Sequence, residues 1–425
     1  MVRDFEQMRM EPMELGWVDD RGKSQSTFHR LPQSITFWLL ASNALIWLLC
    51  FAYLTTASAR DPTSYFFNEK KGYERRYSLQ REEAAHRFIE SANRTHVPAF
   101  PRSNTSMCIG VATVKRPTQE QYVRSAIGSL LEGLSDAERN QIYLITFIAH
   151  TDPTIHPIYH EPWLKAVSNE VLTYNVSEDD MASLRLFEEE NIARNKSMYD
   201  YGYLLKNCLN TKADWITIVE DDVIARAGWY SKATVALHEV QAQAQGSSWL
   251  YLRMFYTEIF FGYVSEHWVR YLATSLTLFF LLLAMLFGAR QKSSLIRRNL
   301  SNVHIAILCC CCLPAFIILY FMAGYVTMHP SKPGVRSLPQ FGCCSQGFVF
   351  PSVIVPSIIS RTQEAMYEDL YIDMLLERFA DSKGLGRFAQ FPSLLQHIGF
   401  KSSKGFGYDK SAEQIFNFDF ESSPS

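Results

Sequence analysis

Three apolar runs, each close to the length that crosses a lipid bilayer, interrupt the 425-residue sequence. They cover residues 34–57, 268–288 and 303–328. The first run follows the polar residues 1–33 and lacks a small-residue cleavage site, so we predict an uncleaved signal anchor rather than a buried core helix. The sequence therefore predicts a membrane protein with three transmembrane helices, in direct contact with membrane lipid.

The loop between the second and third runs is basic and contains no Asp or Glu; its charged residues are Arg290, Lys292, Arg297 and Arg298. Because short basic loops stay in the cytoplasm, we predict that residues 268–328 form a transmembrane hairpin that enters from the lumenal side. Residues 1–33 then form a cytoplasmic tail, and residues 59–267 face the lumen. Four Asn-x-Ser/Thr patterns in that segment agree with this orientation, at Asn93, Asn104, Asn175 and Asn195. A fifth, at Asn299, lies in the basic loop and should stay unmodified.

The net charge and the cysteine content indicate which binding partners and which cellular compartment suit this sequence. The formal net charge of -2 provides no basic surplus, so we expect no nucleic-acid partner. Five of the nine cysteines lie in the apolar runs, and the other four permit three pairings. We favour the disulfides Cys108–Cys208 and Cys343–Cys344, which suit an oxidising compartment; reduced, buried thiols are the alternative.

Between the first run and the hairpin, the sequence is typical of an α/β protein. Residues 58–105 are charged, with a helical stretch near 69–90, and we interpret them as a lumenal stem. Short apolar runs then alternate with helical patterns, which predicts an open α/β sheet. The expected strands are residues 107–114, 141–150, 171–174 and 215–220, and the expected helices lie near 119–134 and 197–210.

The hairpin interrupts this α/β pattern. Residues 249–261 read as a strand before the hairpin, and residues 346–355 resume strand character after it. We therefore predict one catalytic domain in two parts, residues 106–267 and 329–410, followed by a C-terminal tail, residues 411–425. The alternative is two small domains separated by the membrane, but neither half holds a complete set of candidate site residues.

Three consecutive acids, Glu220, Asp221 and Asp222, end the apolar strand at 215–220. Ligands of α/β folds gather at the carboxyl ends of strands, and a divalent cation on a diphosphate needs one or two carboxylates. Acids that begin a solvated turn are the alternative interpretation. The triplet has the form of the Asp-x-Asp element of GT-A glycosyltransferases. This resemblance implies a GT-A domain with a bound metal, Mn²⁺ by preference and Mg²⁺ as the alternative.

Other segments resemble further parts of GT-A enzymes. Residues 109–117 resemble the first strand and the following loop, which implies that Thr113, Lys115 and Arg116 meet the nucleotide together with Glu220 and Asp221. A late histidine, His397, would complete the metal shell with Asp222 and Glu220; a structural surface histidine is the alternative. The small residues 342–347, which end at Gly347, would form a loop pressed close to the donor sugar, unless they form a plain turn.

Residues 367–373 resemble the element in which a carboxylate opens the acceptor helix. A single inverting displacement needs one base that takes the proton of the acceptor hydroxyl. The resemblance assigns this role to Asp369, with Glu368 as the second choice, and we expect Asp373 on the solvated face of the helix. Acids at a helix N-terminus are also ordinary complements of the helix dipole.

Two families share these features. Residues 204–223 and 391–403 resemble the N-glycan branching N-acetylglucosaminyltransferase IV family. The layout, a GT-A domain interrupted by a transmembrane hairpin after an N-terminal anchor, resembles the post-attachment GalNAc-transferases of the Golgi that act on glycosylphosphatidylinositol (GPI) anchors. That family implies inverting transfer from UDP-GalNAc to the first mannose of the glycan on GPI-anchored proteins. The alternatives are an N-glycan branching UDP-GlcNAc transferase and a non-catalytic membrane scaffold with a transferase-like domain.

Overall fold

The computed structural model of the protein describes residues 35–94, 105–116, 121–339, 343–399 and 414–422. Five features expected from the sequence lie outside these residues. They are the cytoplasmic tail 1–33, the Asn104 pattern, Gly342, the segment 401–403 and the start of the C-terminal tail, residues 411–413.

The helices and strands alternate through the chain. The helices are α1 Ile35–Ala57, α2 Glu69–Gly72, α3 Tyr77–Arg94, α4 Val123–Leu131, α5 Asp136–Asn140, α6 Pro162–Val167, α7 Glu178–Glu189, α8 Ala193–Asn210, α9 Trp229–Ala244, α10 Trp268–Lys292, α11 Ser294–Asn299, α12 Asn302–Ile307, α13 Leu313–Met322, α14 Tyr325–Met328, α15 Val355–Glu364 and α16 Ile372–Lys383. The strands are β1 Met107–Thr113, β2 Ile142–Ile148, β3 Glu170–Leu172, β4 Trp215–Glu220, β5 Val223–Ala225, β6 Trp249–Arg253, β7 Gly334–Ser337, β8 Gly347–Pro351, β9 Gly386–Phe391 and β10 Leu395–His397.

Eight of the strands form one mixed sheet in the order β3-β2-β1-β4-β8-β6-β9-β7. The first four are parallel to one another, whereas β8 is antiparallel to both β4 and β6. Every residue of β1 and β4 is buried or half-buried, as expected for central strands that helices cover on both faces. The predicted α/β class is confirmed, and β5 and β10 pair separately beside the main sheet.

The sheet takes strands from both sides of the apolar hairpin. β6 precedes the hairpin in sequence, yet it lies between β8 and β9, which both follow the hairpin. The β8–β4 pairing likewise joins the two sequence halves, with Val219 opposite Gly347. The strands before and after the hairpin therefore share one hydrophobic core.

Within the described residues, three helical segments are long and apolar enough to span a bilayer, and they correspond to the three predicted runs. The third is not α-helical throughout. A π-helical turn, Leu308–Cys312, joins α12 to α13, and the helix ends at Met322, before the predicted boundary at 328. Gly324 follows with φ of 90°, a conformation that L side chains rarely adopt.

Residues 58–94, which the sequence assigned to a stem, pack against the α/β body. Ala85 and Ile89 of α3 are fully buried, and Arg81 donates to the Ala225 carbonyl at 3.0 Å and to the Ser129 carbonyl. The small and apolar residues of α3 recur every three or four positions, and they form a buried stripe within a mostly charged helix. This stripe is the reason why α3 belongs to the body.

Both favoured disulfides are present in the structure. Cys108 of β1 is bonded to Cys208 of α8, and Cys343 is bonded to its neighbour Cys344. The first bond ties a central strand to the helix that covers it. The second lies in the loop that leads into β8.

Candidate functional site

The acidic triplet lies where the sheet ends and the small β5–β10 ribbon begins. Glu220 is the last residue of β4, and Asp221 and Asp222 form the turn into β5. β1 lies beside β4, which brings Thr113 to the same edge of the sheet. β10 pairs with β5 and places His397 opposite Val223. Three segments that are distant in sequence, β1, β4–β5 and β10, therefore meet at the triplet.

Asp221 is held by two of the residues predicted to meet the nucleotide. The Thr113 hydroxyl donates to Asp221 Oδ2 at 2.6 Å, and the Arg116 guanidinium donates to Asp221 Oδ1. Arg116 also donates to Asp222 Oδ2 at 3.1 Å and is only 5% exposed. Burial raises the pKa of Asp221, and the nearby Arg116 opposes that shift. The third predicted residue, Lys115, is exposed, and its backbone amide donates to His150 Nε2.

Asp222 and His397 form a buried pair. His397 Nε2 lies 3.5 Å from Asp222 Oδ2, while Nδ1 lies 2.9 Å from the Ile415 carbonyl oxygen. Since a carbonyl can only accept, Nδ1 carries the proton and Nε2 faces the carboxylate. Burial alone would raise the pKa of Asp222, but His397 and Arg116 together lower it below its usual range.

Glu220 faces the loop that carries the vicinal disulfide. The Ser345 hydroxyl donates to Glu220 Oε1, and the Gln346 side-chain amide donates to Oε2 at 3.2 Å. Burial, reinforced by the negative charge of Asp222, raises the pKa of Glu220 to about 7. Both carboxylate oxygens are thus engaged by one loop.

The donor set fits a divalent cation in part. Among the described residues, no three His, Cys, Asp or Glu side chains converge in a ready metal-binding arrangement. Asp222 Oδ1, however, is buried and has no hydrogen-bond partner within the described part of the chain. A carboxylate oxygen and an imidazole Nε2 at one edge match the few protein ligands that a diphosphate-bound Mg²⁺ or Mn²⁺ takes. Asp222 and His397 therefore fit as ligands better than Glu220 does.

Gly347 has a packing role in the structure. It lies in β8 rather than in a free loop, and a Cβ placed there would lie 2.3 Å from Leu395 Cδ1. The absence of a side chain lets β8 approach the segment that leads to His397. Its predicted contact with the donor sugar stays a prediction.

The two predicted base residues lie in the turn before α16. Asp369 Oδ2 accepts from Arg194 at 2.7 Å, and Glu368 pairs with Arg361 at 2.9 Å. The Asp369 side chain is 76% exposed, and its φ is 51°. Both carboxylates are open to an incoming hydroxyl, and neither is used to fix the triplet.

Asp373 does not lie on the solvated face where we expected it. Its Oδ2 accepts from the backbone amide of Cys344 at 3.0 Å. Arg253 of β6, 1% exposed, donates to the carbonyls of Cys343 and Cys344. The vicinal disulfide loop is therefore held between α16 and β6, and its next two residues hold Glu220.

A comparison with protein families identifies the family of the chain. The family model described as GPI-N-acetylgalactosamine transferase PGAP4 matches residues 107–396, which is more than half of the chain. The chain belongs to this family. The match covers β1, the triplet, the whole hairpin and β10 up to the residue before His397. No curated protein matches the sequence significantly.

Membership of the GPI-N-acetylgalactosamine transferase family makes the chain a glycosyltransferase, as predicted, rather than a non-catalytic scaffold. Family membership also favours the hypothesis of a transferase that acts on GPI anchors over the hypothesis of an N-glycan branching transferase. The family implies a sugar donor and a GPI-anchored protein as the acceptor.

Several residues that build the candidate site in this glycosyltransferase were missed from the sequence. Ser345 and Gln346 were noted only as part of a small-residue loop, and Ile415 fell in the supposed tail. Arg253 did carry a signal, because a charged residue inside an apolar strand requires a buried partner. Ile415 carried none, since it acts through its backbone carbonyl.

Proposed function

We propose that this chain is a metal-dependent inverting transferase that moves GalNAc from UDP-GalNAc to the first mannose of the glycan on GPI-anchored proteins. The observation that carries the proposal is the convergence of Asp222, His397 and Arg116 at one edge of the sheet, in a chain of this family. The strand order and the triplet also support a GT-A domain.

The charge of the site supports a cation. The buried carboxylates of Asp221 and Asp222 and the half-buried carboxylate of Glu220 lie beside one guanidinium and one imidazole. Asp222 and His397 would hold Mn²⁺, or Mg²⁺, with Glu220 as a further ligand once it leaves Ser345 or Gln346. When bound, the ion supplies positive charge that stabilises the departing UDP.

The chain's own groups would bind and orient the nucleotide. Arg116 is placed to compensate negative charge beside the triplet, and Lys115 is exposed next to it. Thr113 fixes Asp221, so the strand end and the turn keep one arrangement when the donor enters. Preorganised groups of this kind lower the reorganisation needed during the reaction.

We assign proton removal to Asp369, with Glu368 as the second choice. The acceptor hydroxyl oxygen forms a bond to the anomeric carbon while the bond from that carbon to UDP breaks, and the hydroxyl proton passes to the carboxylate. One displacement inverts the configuration. Arg194 donates to Asp369 Oδ2 and would orient this carboxylate before the acceptor arrives.

The membrane arrangement belongs to the same proposal. We place the catalytic domain in the Golgi lumen, with the basic loop, residues 289–302, on the cytoplasmic side. A GPI glycan lies close to the bilayer, and two helices inserted into the catalytic sheet would hold the site near that surface. This restricts the orientations that the site must sample before transfer.

The experiment is transfer and donor hydrolysis by detergent-purified protein with Mn²⁺, across a panel of UDP-sugars and a GPI-glycan acceptor. We expect turnover of UDP-GalNAc. Asp222→Ala should lower the rate at least about a hundredfold, because metal stabilisation is worth several kcal/mol. Asp136→Ala, at an exposed acid of α5, is the matched control.

Asp369→Asn should lose transfer but keep nucleotide binding, which separates the base from the metal ligands. A preference for UDP-GlcNAc would contradict the donor assignment. Full activity of Asp222→Ala would refute metal-dependent transfer at the triplet.

A further inference from the structure

The C-terminal residues 414–422 are built into the protein rather than extending from it as a tail. Phe416, Asn417 and Phe420 are fully buried, and Glu421 is 3% exposed. Phe416 and Phe418 contact the rings of Tyr73 and, for Phe418, Phe67. We call this stretch the C-terminal strap.

The C-terminal strap reaches the candidate metal site through a backbone atom. The Ile415 carbonyl accepts from His397 Nδ1 at 2.9 Å, which leaves Nε2 directed at Asp222. Histidines that ligate metals characteristically donate their other ring N–H to such a partner, which fixes both the tautomer and the ring orientation.

Gln396, the neighbour of His397, binds the C-terminal strap at three points. Its side-chain oxygen accepts from the Asn417 amide at 2.9 Å, and its NH₂ donates to the Asn417 carbonyl and to Glu421 Oε1. The strap thus fixes the backbone of β10 as well as the ring of His397. Gln396, Asn417 and Glu421 are all buried, so the three hydrogen bonds of the Gln396 side chain do not compete with water.

Two further anchors hold the C-terminal strap in register. Both carboxylate oxygens of Glu258 accept from the strap, at the amides of Phe418 and Asp419. The Asn417 side chain donates to the Tyr256 carbonyl at 2.9 Å and accepts from the Phe420 amide at 2.7 Å. Tyr256 and Glu258 belong to the segment that leads into α10.

A third contact joins the C-terminal strap to the chain that follows α1. Glu421 Oε2 accepts from the backbone amides of Arg76 and Ser78. One short segment therefore contacts the candidate metal ligand, the start of the hairpin and the region after the N-terminal anchor.

We propose that the C-terminal strap is a positioning segment for the metal site, in which the Ile415 carbonyl orients His397, and Gln396 and Asn417 hold that carbonyl in place. The inference rests on the proposed metal-dependent function. It adds a part of the chain that lies beyond the family match, which ends at residue 396.

The test uses the full-length protein in detergent and measures binding of Mn²⁺ in the presence of UDP by electron paramagnetic resonance, beside the Mn²⁺ dependence of the transfer rate. Asn417→Ala removes the two side-chain hydrogen bonds of this residue, with the Tyr256 carbonyl and the Phe420 amide, without touching His397 or Asp222. We expect its Mn²⁺ dissociation constant to rise about tenfold, as for other changes to the partners of metal ligands. At saturating Mn²⁺, kcat should stay close to that of the unmodified protein.

A charge exchange tests the same contact by rescue. Gln396→Glu places a second carboxylate against Glu421 and should weaken Mn²⁺ binding. Adding Glu421→Gln restores a donor–acceptor pair between these positions and should recover much of the affinity. Asp419→Asn, on the exposed side of the C-terminal strap, is the matched control and should bind Mn²⁺ normally.

Unchanged Mn²⁺ affinity in both Asn417→Ala and Gln396→Glu would overturn the inference while leaving the metal-dependent function intact. A loss of kcat at saturating Mn²⁺ without a change in affinity would also overturn it, because that pattern reports general unfolding. If the unmodified protein binds no Mn²⁺ in the presence of UDP, the proposed metal dependence and the inference both fail.

Discussion

His156 is a buried histidine that is connected to the triplet through Thr113. Its Nδ1 accepts from the Ile158 amide, so Nε2 carries the proton and donates to Thr113 Oγ1 at 3.1 Å, and Thr113 in turn donates to Asp221. The ring is 1% exposed. Burial, aided by the nearby His150, lowers the pKa of His156 from 6.5 to about 4.

This shift makes the stability of the folded state depend on pH. The folded pKa lies below the unfolded one, so protonation favours the unfolded chain. The contribution of neutral His156 is complete above pH 6.5 and is lost as the pH falls towards 4. We expect thermal unfolding temperatures to decline across this window. His156→Gln should flatten the decline, whereas His160→Gln, at an exposed histidine, should not; equal profiles for the two variants would contradict the assignment.

For single residues, the sequence was sufficient to predict the location of those that lie at the end of a strand. The triplet and Thr113 lie at the ends of adjacent parallel strands. Arg116 comes shortly after Thr113 along the chain, so its location near the triplet could also be predicted. His397 was found only through a family resemblance. The partners of Glu220 could not be predicted, because they depend on how β8 returns antiparallel to β4 after the hairpin. Long-range pairing of this kind leaves no local pattern.

Gly347 and Leu395 show how close packing joins two elements near the site. A Cβ at position 347 would lie 2.3 Å from Leu395 Cδ1 and 3.2 Å from Met254 Cε. Gly347→Ala should lower the free energy of unfolding by about 1–3 kcal/mol, because overpacked cores must shift side chains. Gly288, which has no atom within 4 Å of an added Cβ, is the control position.

A double-mutant cycle tests whether this contact is responsible. Leu395→Ala removes the atoms that the new methyl group meets, so the double variant should be more stable than the sum of the two single effects implies. We expect a coupling of at least about 0.5 kcal/mol from denaturant unfolding. Strict additivity of the two single effects would show that the loss of stability in Gly347→Ala arises from contacts other than the one with Leu395.

Element boundaries were predicted well where apolar runs were bounded by turns and less well elsewhere. The strand expected at 249–261 ends at Arg253. The carbonyl of the next residue, Met254, accepts a hydrogen bond from the Leu394 amide instead of continuing the strand ladder. The strand expected at 346–355 ends at Pro351, a short 3₁₀ turn follows, and α15 begins at Val355. Apolar composition alone does not distinguish a strand from a buried turn that follows it.

At the scale of the whole molecule, the N-terminal anchor and the hairpin are joined at one end. Asp61 Oδ2 accepts from the Thr327 amide at 2.7 Å, and the Thr63 hydroxyl accepts from the Tyr325 amide at 2.7 Å. Gly324 lies against this contact, because a Cβ there would meet Asp61 Oδ2 at 2.5 Å. Within the apolar region, Trp47 of α1 donates to the Ala315 carbonyl of α13.

This junction means that α1 is fixed to the hairpin rather than connected through a free stem. Asp61→Ala removes the acceptor of Thr327 and of the Thr63 amide and hydroxyl, so the amides of residues 325–327 should open more often. Hydrogen exchange followed by mass spectrometry should show faster exchange there, by roughly tenfold for about 1.4 kcal/mol of lost local stability. Thr56→Ala, at an exposed position of α1, should leave these amides unchanged. Because the junction is distant in sequence from the triplet, donor hydrolysis should persist in Asp61→Ala, while transfer to a membrane-embedded GPI acceptor should fall. Unaltered exchange at 325–327 would show instead that the hairpin holds its end without the anchor.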